Sequence, residues 1–104
     1  KKIEKAEALI DWQRDAQQIE RSVRAFNPWP IAETQLQGER VRIHQAISLE
    51  ADTDKVPGTI LAANKEGIDI ACEQGILRLL QVQRDGSRAM SVADYLNARA
   101  LNLE

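Results

Sequence analysis

Apolar residues recur every third or fourth position from Ala16 to Phe26, then every second position from Arg40 to Leu49. The chain therefore passes from helical to strand period within its first half. Ala16, Ile19, Val23 and Phe26 form one helical stripe, with Arg21 and Arg24 on the opposite side. Asp15, with Gln18 three residues on, has the capping-box pattern. Its carboxylate accepts from the unpaired N–H groups of the first turn and suits the positive helix end. Asn27-Pro28-Trp29-Pro30 stops the helix, because proline lacks an N–H and biases the residue before it away from helix. Phe26 and Trp29 are expected to pack there.

Val41, Ile43, Ile47 and Leu49 are predicted on one strand face, with Arg40, Arg42, His44 and Ser48 on the other. Gln37-Gly38-Glu39 reads as a hairpin turn and makes Ala32–Leu36 the antiparallel partner. Pro57-Gly58 leads into a strand over 59–63, Asn64 to Gly67 turns into 68–72, and Glu73-Gln74-Gly75 turns into 76–83. A further short strand is expected near Trp12. Arg84-Asp85-Gly86-Ser87 ends the sheet. A second helix starts at Ser91, with Asp94 three residues on and Met90 placed to pack against Tyr95. Val92, Tyr95, Leu96 and Leu103 are its predicted buried face. The fold class is mainly β with flanking helices: a small OB-like Greek-key barrel of five to six short strands, one helix before and one after. Closure would remove exposed sheet edges. Residues 1–10, where charges alternate in sign without a turn signal, read as a linker, and 11–104 as the domain.

The chain has 104 residues, enough for one domain. Its 43% apolar content is that of a globular protein. It has no apolar run of membrane-spanning or signal-peptide length. A single cysteine, Cys72, excludes an internal disulfide and a cysteine-based metal cluster. A single histidine, His44, argues against a Ser-His-Asp triad and a zinc site. The five glycines stand singly at turns, so there is no phosphate-cradling loop. Cys72 ends an alternating strand and reads as a small buried hydrophobe. The first residue is Lys1, so the sequence reads as a piece of something longer: a reduced, cytoplasmic, monomeric domain without catalytic residues, metal or membrane contact.

The formal charge of −2 argues mildly against a polyanionic partner, yet a phosphate backbone feels the local pattern. Three clusters are basic. Arg14, Arg21 and Arg24 surround the first helix. Arg40 and Arg42 share a strand face with His44. Arg88 follows Gly86-Ser87, where small residues let backbone N–H groups approach an anion. Each has a solvated-face alternative: Arg24 can pair with Glu20, and Arg40 and Arg42 with Glu33. Lys1, Lys2 and Lys5 make a basic strap ahead of them. Only four residues are aromatic, which leaves charge and shape rather than base stacking as the mode of binding.

Arg24-Ala25-Phe26-Asn27-Pro28-Trp29-Pro30 resembles the signature of the carboxy-terminal domain of methionyl-tRNA formyltransferases. Ile10-Asp11-Trp12, Pro57-Gly58-Thr59-Ile60-Leu61, Gly75-Ile76-Leu77, Leu79-Leu80 and Ala89-Met90-Ser91 extend the likeness over almost the whole chain. The resemblance implies an OB-like domain that offers a basic surface to the initiator methionyl-tRNA. An amino-terminal formyltransferase domain in cis would bind 10-formyltetrahydrofolate and carry the catalytic Asn, His and Asp, leaving this fragment without a cofactor of its own. It also implies that Lys1, Lys2 and Lys5 lie in the interdomain linker facing the same tRNA. Family members often carry a lysine pair where this chain has Ser87-Arg88, and an aromatic where it has His44. Sugar-nucleotide formyltransferases carry a similar Pro-Trp-Pro, but Asn27 preceded by Phe26 favours the tRNA enzyme. Two other readings stay open here: a protein-interaction or dimerisation module, and the carboxy-terminal domain of a sugar-nucleotide formyltransferase.

Overall fold

The structure, a computed structural model, describes residues 8–27 and 29–101. Left-handed backbone at Gln37 (φ 49°) and Gly38 (φ 88°) reverses the chain in two residues. Positive φ at both positions matches the right-handed twist of the strands it joins. Those strands are β1 (Ala32–Leu36) and β2 (Glu39–Leu49), paired antiparallel with Thr34 opposite Val41. Further glycine turns join β3 (Ile60–Asn64), β4 (Gly67–Ala71) and β5 (Ile76–Arg84) into a meander. The sheet order is β1-β2-β5-β4-β3, with the two-residue β6 (Met90–Ser91) beside the end of β5. Pairing β2 with β5, outside the meander, is the Greek-key step. The sheet is open and barrel-like, with β1 and β3 at the two ends of its path.

Helix α1 (Ala16–Ala25) packs on β2 and β5, and helix α2 (Val92–Ala98) on β3, β4, β5 and β6. Ile19 and Val23 of α1, Val41 and Ile43 of β2, Ile68 and Ile70 of β4, and Leu77, Leu79 and Val82 of β5 fill the core with Val92 and Tyr95 of α2. Each such aliphatic side chain contributes about 1.5–3 kcal/mol on burial. Ser91 caps α2 as expected, its hydroxyl accepting from the Asp94 N–H at 3.2 Å. Leu96 and Leu101 pack against the core beside it; Leu103 lies outside the described residues.

Two expectations are corrected. The alternation of β2 does not run to its end. The register against β5 shifts on both sides of Gln45, so Ala46 turns inward and Ile47 is 41% exposed. A bulge adds one residue and exchanges the faces beyond it. Trp12 stands in a turn rather than a strand. Its indole N–H donates to the hydroxyl of buried Thr34 at 3.1 Å and its ring lies over Gly58. Strand-like contacts lie on either side of it: Leu9 bridges Glu33, with the Ile10 N–H donating to the Glu33 carbonyl at 2.9 Å, and Asp15 bridges Gln74.

Glu39, at the start of β2, joins three elements. It accepts from Arg84 Nε of β5 at 2.7 Å and from the buried Tyr95 hydroxyl of α2 at 3.1 Å. Arg99 Nε stands 3.4 Å away, while its Nη2 donates to the Gln37 carbonyl at 2.8 Å. Burial works against this carboxylate, but the hydrogen bonds from Arg84 and Tyr95 and the charges of Arg84 and Arg99 outweigh it. They hold Glu39 below the ordinary value of 4.5. Burial, followed by the hydrogen bond to Glu39, pushes the Tyr95 phenol up to about 12.

The pH dependence of stability follows from these shifts. A carboxylate depressed on folding lends stability that is complete above its unfolded pKa and lost as pH falls through the folded value. Urea midpoints are expected to drop below pH 4.5, with a flatter acid limb in Glu39→Gln. The phenol, raised on folding, lends stability present below its ordinary value of 10.0 and lost as pH climbs to about 12. Tyr95→Phe should remove that alkaline loss. Backbone space gives a second comparison. A Cβ on Gly67 (φ +148°) would meet Arg78 Cγ at 2.5 Å and the Leu79 carbonyl oxygen at 2.8 Å, whereas one on Gly86 (φ +74°) meets nothing within 4 Å. Gly86→Ala should cost about 1–2 kcal/mol from conformation alone. Gly67→Ala should cost more in the same denaturation experiment, because β5 backbone must also move.

Candidate nucleic-acid interface

The outer face of α1 follows from the stripe that buries its inner face. With Ala16, Ile19 and Val23 against the sheet, Arg21 and Arg24 are left facing solvent. Asp15 caps the helix, its Oδ1 accepting from the Gln17 N–H at 2.7 Å, one residue earlier than the capping-box spacing predicts. The helix start is seated on the β4–β5 turn: the Ala16 N–H donates to the Gln74 carbonyl at 2.9 Å, and the Glu73 N–H to the Arg14 carbonyl at 3.1 Å. This anchor fixes Arg14 one residue before the cap. Arg14, Gln18, Arg21, Ser22 and Ala25 line a shallow depression of about 320 Å³. Among the described residues, Arg14 and Arg21 form no ion pair; Arg24 pairs with Glu20 one turn back at 2.8 Å. That pair is solvated and worth under about 1 kcal/mol.

The strand cluster is different. Arg40 reaches diagonally across the hairpin and grips Glu33 with both Nε (3.0 Å) and Nη2 (2.9 Å). That hydrogen bond and the charge of Glu33 raise the Arg40 pKa further. Arg42 stands opposite Glu33 in the register but does not bond it as expected; its Nη1 turns to Asp85 Oδ1 at 3.0 Å. The bidentate Arg40 fork is the better fit for one carboxylate. Asp85 also lies 3.7 Å from Arg40 Nη1, so two arginines face two carboxylates. His44 Nε2 stands 2.8 Å from Gln83 Oε1. Arg88 is exposed and lines a separate depression that includes Asp94. Lys1, Lys2 and Lys5 lie outside the described residues.

Other chemistry has little foothold. Burial pushes the Cys72 thiol up to about 11, which leaves it an inert hydrophobe at neutral pH. No group of three metal-ligating side chains occurs among the described residues, and no helix among them is long and apolar enough to cross a membrane. A depression of about 350 Å³ at the start of α1 is lined by Asp15, Glu50 and Asp52, carboxylates that repel an anionic ligand.

Besides Ile47, sequence reasoning missed the exposure of Trp29 and Leu9. Trp29, expected to pack, is 61% exposed, as is Leu9. Two flanking prolines marked Trp29 as a loop residue, the available signal for its exposure. Leu9 carried none, because its neighbours Ala8 and Ile10 are equally apolar.

The formyl transferase, C-terminal domain family matches residues 2–100. The chain is 63% identical over 98 residues to the methionyl-tRNA formyltransferase of Stenotrophomonas maltophilia (strain K279a), covering 94% of this chain and 32% of that protein. It is 57% identical over 98 residues to that of Xylella fastidiosa (strain M23), with the same coverage. The chain thus spans about a third of the length of the curated relatives it matches. Among solved structures, HypX from Aquifex aeolicus, in complex with tetrahydrofolic acid, superposes with a TM-score of 0.75. That match has 22% identity and covers 99% of this chain and 19% of HypX, a likeness of fold. The signature around Asn27 and the matched span together show that the chain belongs to the formyl transferase C-terminal domain family.

Proposed function

We propose that this chain is the tRNA-holding domain of a cytoplasmic, monomeric methionyl-tRNA formyltransferase. The amino-terminal domain of the same polypeptide binds 10-formyltetrahydrofolate and transfers its formyl group to the methionine amino group on the initiator tRNA. Of the expected linker 1–10, Ala8 to Ile10 are packed and bonded onto the domain; the residues before Ala8 serve as the tether, with Lys1, Lys2 and Lys5 turned to the same ligand. Folate belongs on the other domain. The acidic depression at Asp15, Glu50 and Asp52 opposes its anionic tail, and a pteridine ring requires an enclosed apolar slot.

The observation that carries this reading is that Arg14 and Arg21 border one depression with no ion pair among the described residues, with Arg24 a turn away. Guanidinium groups on a folded surface displace condensed counterions from a phosphate backbone and read no base sequence. Such a contact is weak alone. Linked to a catalytic domain working at the tRNA's aminoacyl end, it raises the local concentration of substrate without adding specificity. Arg40 and Arg42 contribute less, since Glu33 and Asp85 would have to be displaced or repelled. The identity of 57–63% to tRNA enzymes favours this reading over a sugar-nucleotide ligand.

Titration with tRNA between about 50 and 200 mM salt tests it. Affinity should fall log-linearly with salt. Arg14→Ala with Arg21→Ala should weaken binding and lower the slope by about 0.9 per lost phosphate contact. Arg40→Ala with Arg42→Ala should change the slope less. Unaltered affinity in the Arg14/Arg21 variant would remove the helix face from the interface.

A further inference from the structure

We propose that Leu9, Phe26 and Trp29 form the seat on which the amino-terminal domain of the same polypeptide docks. The proposal rests on the reading that a formyltransferase domain precedes this one, and it names the surface that domain uses. Ala8, Leu9, Ile10, Phe26 and Ala32 line a groove of about 330 Å³, with Ile19 at its inner side. Leu9 is 61% exposed on its edge. Trp29, also 61% exposed, stands in the loop joining Phe26 to Ala32, three residues from each.

The path of the chain says what covers this surface. Ala8 is buried, and the Leu9 and Ile10 backbone is fastened to Glu33 of β1. The polypeptide therefore arrives at the groove itself. The curated relatives are about three times as long as the match, and the matched family is a carboxy-terminal domain. Their remaining length is thus tethered beside Leu9. A covalently linked domain needs only a small apolar seat, since linkage makes its binding intramolecular.

The loop is built to present the indole. Ile31 adopts φ 68°, a left-handed conformation that a β-branched residue takes only when its surroundings impose it. The Ile31 N–H donates to the Phe26 carbonyl at 2.9 Å, and Asn27 Nδ2 to the His44 carbonyl at 3.2 Å. Pro30 is buried beneath. An apolar centre at Leu9 and Phe26 with a rim of Asp11 and Arg14 has the anatomy of an intramolecular interface, and Trp29 supplies an exposed aromatic in the adjoining loop. Arg14 lines both this groove and the depression with Arg21, so a domain seated here adjoins the basic face of α1.

The test uses the full-length two-domain polypeptide. Protease cleavage within residues 1–7 and small-angle scattering report docking; tRNA titration reports the basic face. Leu9→Gln with Trp29→Gln should speed cleavage about tenfold, the effect of losing one interface anchor, and expand the particle. The salt slope for tRNA should stay as in the parent protein. Val56→Gln, at a site 72% exposed and outside the groove, should change neither. Unchanged cleavage in the double variant would overturn the seat, as would an equal effect from Val56→Gln. Weakened tRNA binding with unchanged cleavage would overturn it too and assign Trp29 to base stacking. Failure of the underlying tRNA reading shows separately, as tRNA affinity indifferent to Arg14→Ala with Arg21→Ala.

Discussion

The four arginines of the sheet each face a carboxylate: Arg40 meets Glu33, Arg42 meets Asp85, Arg78 meets Asp69 and Arg84 meets Glu39. This pairing constrains what the surface can do. Most of these pairs are half-buried, so removing one partner would leave a poorly solvated charge behind. The sheet is held in register by them, and its field at a distance is largely cancelled. In a chain of net charge −2, positive potential survives only where acids are missing. The start of α1 is such a place: Arg14 just before the cap and Arg21 on the face opposite the buried stripe of Ala16, Ile19 and Val23 form no ion pair among the described residues.

Topology then makes that face rigid. The Greek-key step lays β2 along β5 over most of both strands, and α1 packs across this pair. Gly75 lets the start of the helix come close: a Cβ there would meet the Leu49 carbonyl at 3.1 Å and Ala16 Cβ at 3.2 Å. With its first turn bonded to Gln74 and its stripe in the core, the helix holds Arg21 on a scaffold, and the Glu73 N–H bond to the Arg14 carbonyl ties the bend before the cap to the same turn. Phosphate recognition by shape needs that constancy, since a mobile guanidinium loses side-chain entropy on each contact.

Local signals were legible in the sequence and distant ones were not. The helical stripe, the Gln37-Gly38 turn, the glycine-punctuated strands and the Ser91 cap depend on residues a few positions apart, and all stand where expected. The bulge at Gln45 was hidden because an alternating pattern looks the same until one residue is added. The Arg42–Asp85 and Tyr95–Glu39 bonds link residues 43 and 56 positions apart. They become visible only once β2 lies beside β5. Of the candidate site, three basic clusters could be read from charge alone. Their ranking required the carboxylates that the fold brings to two of them.

Arg14 connects the two surfaces that matter. It borders the apolar groove at Leu9 and Phe26 and the basic depression at Arg21. A domain that bound tRNA without docking its partner would hold the substrate at a distance set by a flexible tether. A domain that docked its partner without a basic face would leave the catalytic half to find the tRNA unaided. On the proposed reading, placing both functions around one helix end would restrict the linked domains while keeping the electrostatic contact independent of base sequence. Trp29 held outward at the cost of a left-handed Ile31 is consistent with that division of labour. On the proposed reading, apolar area seats the preceding domain and charge attracts what the pair would hold.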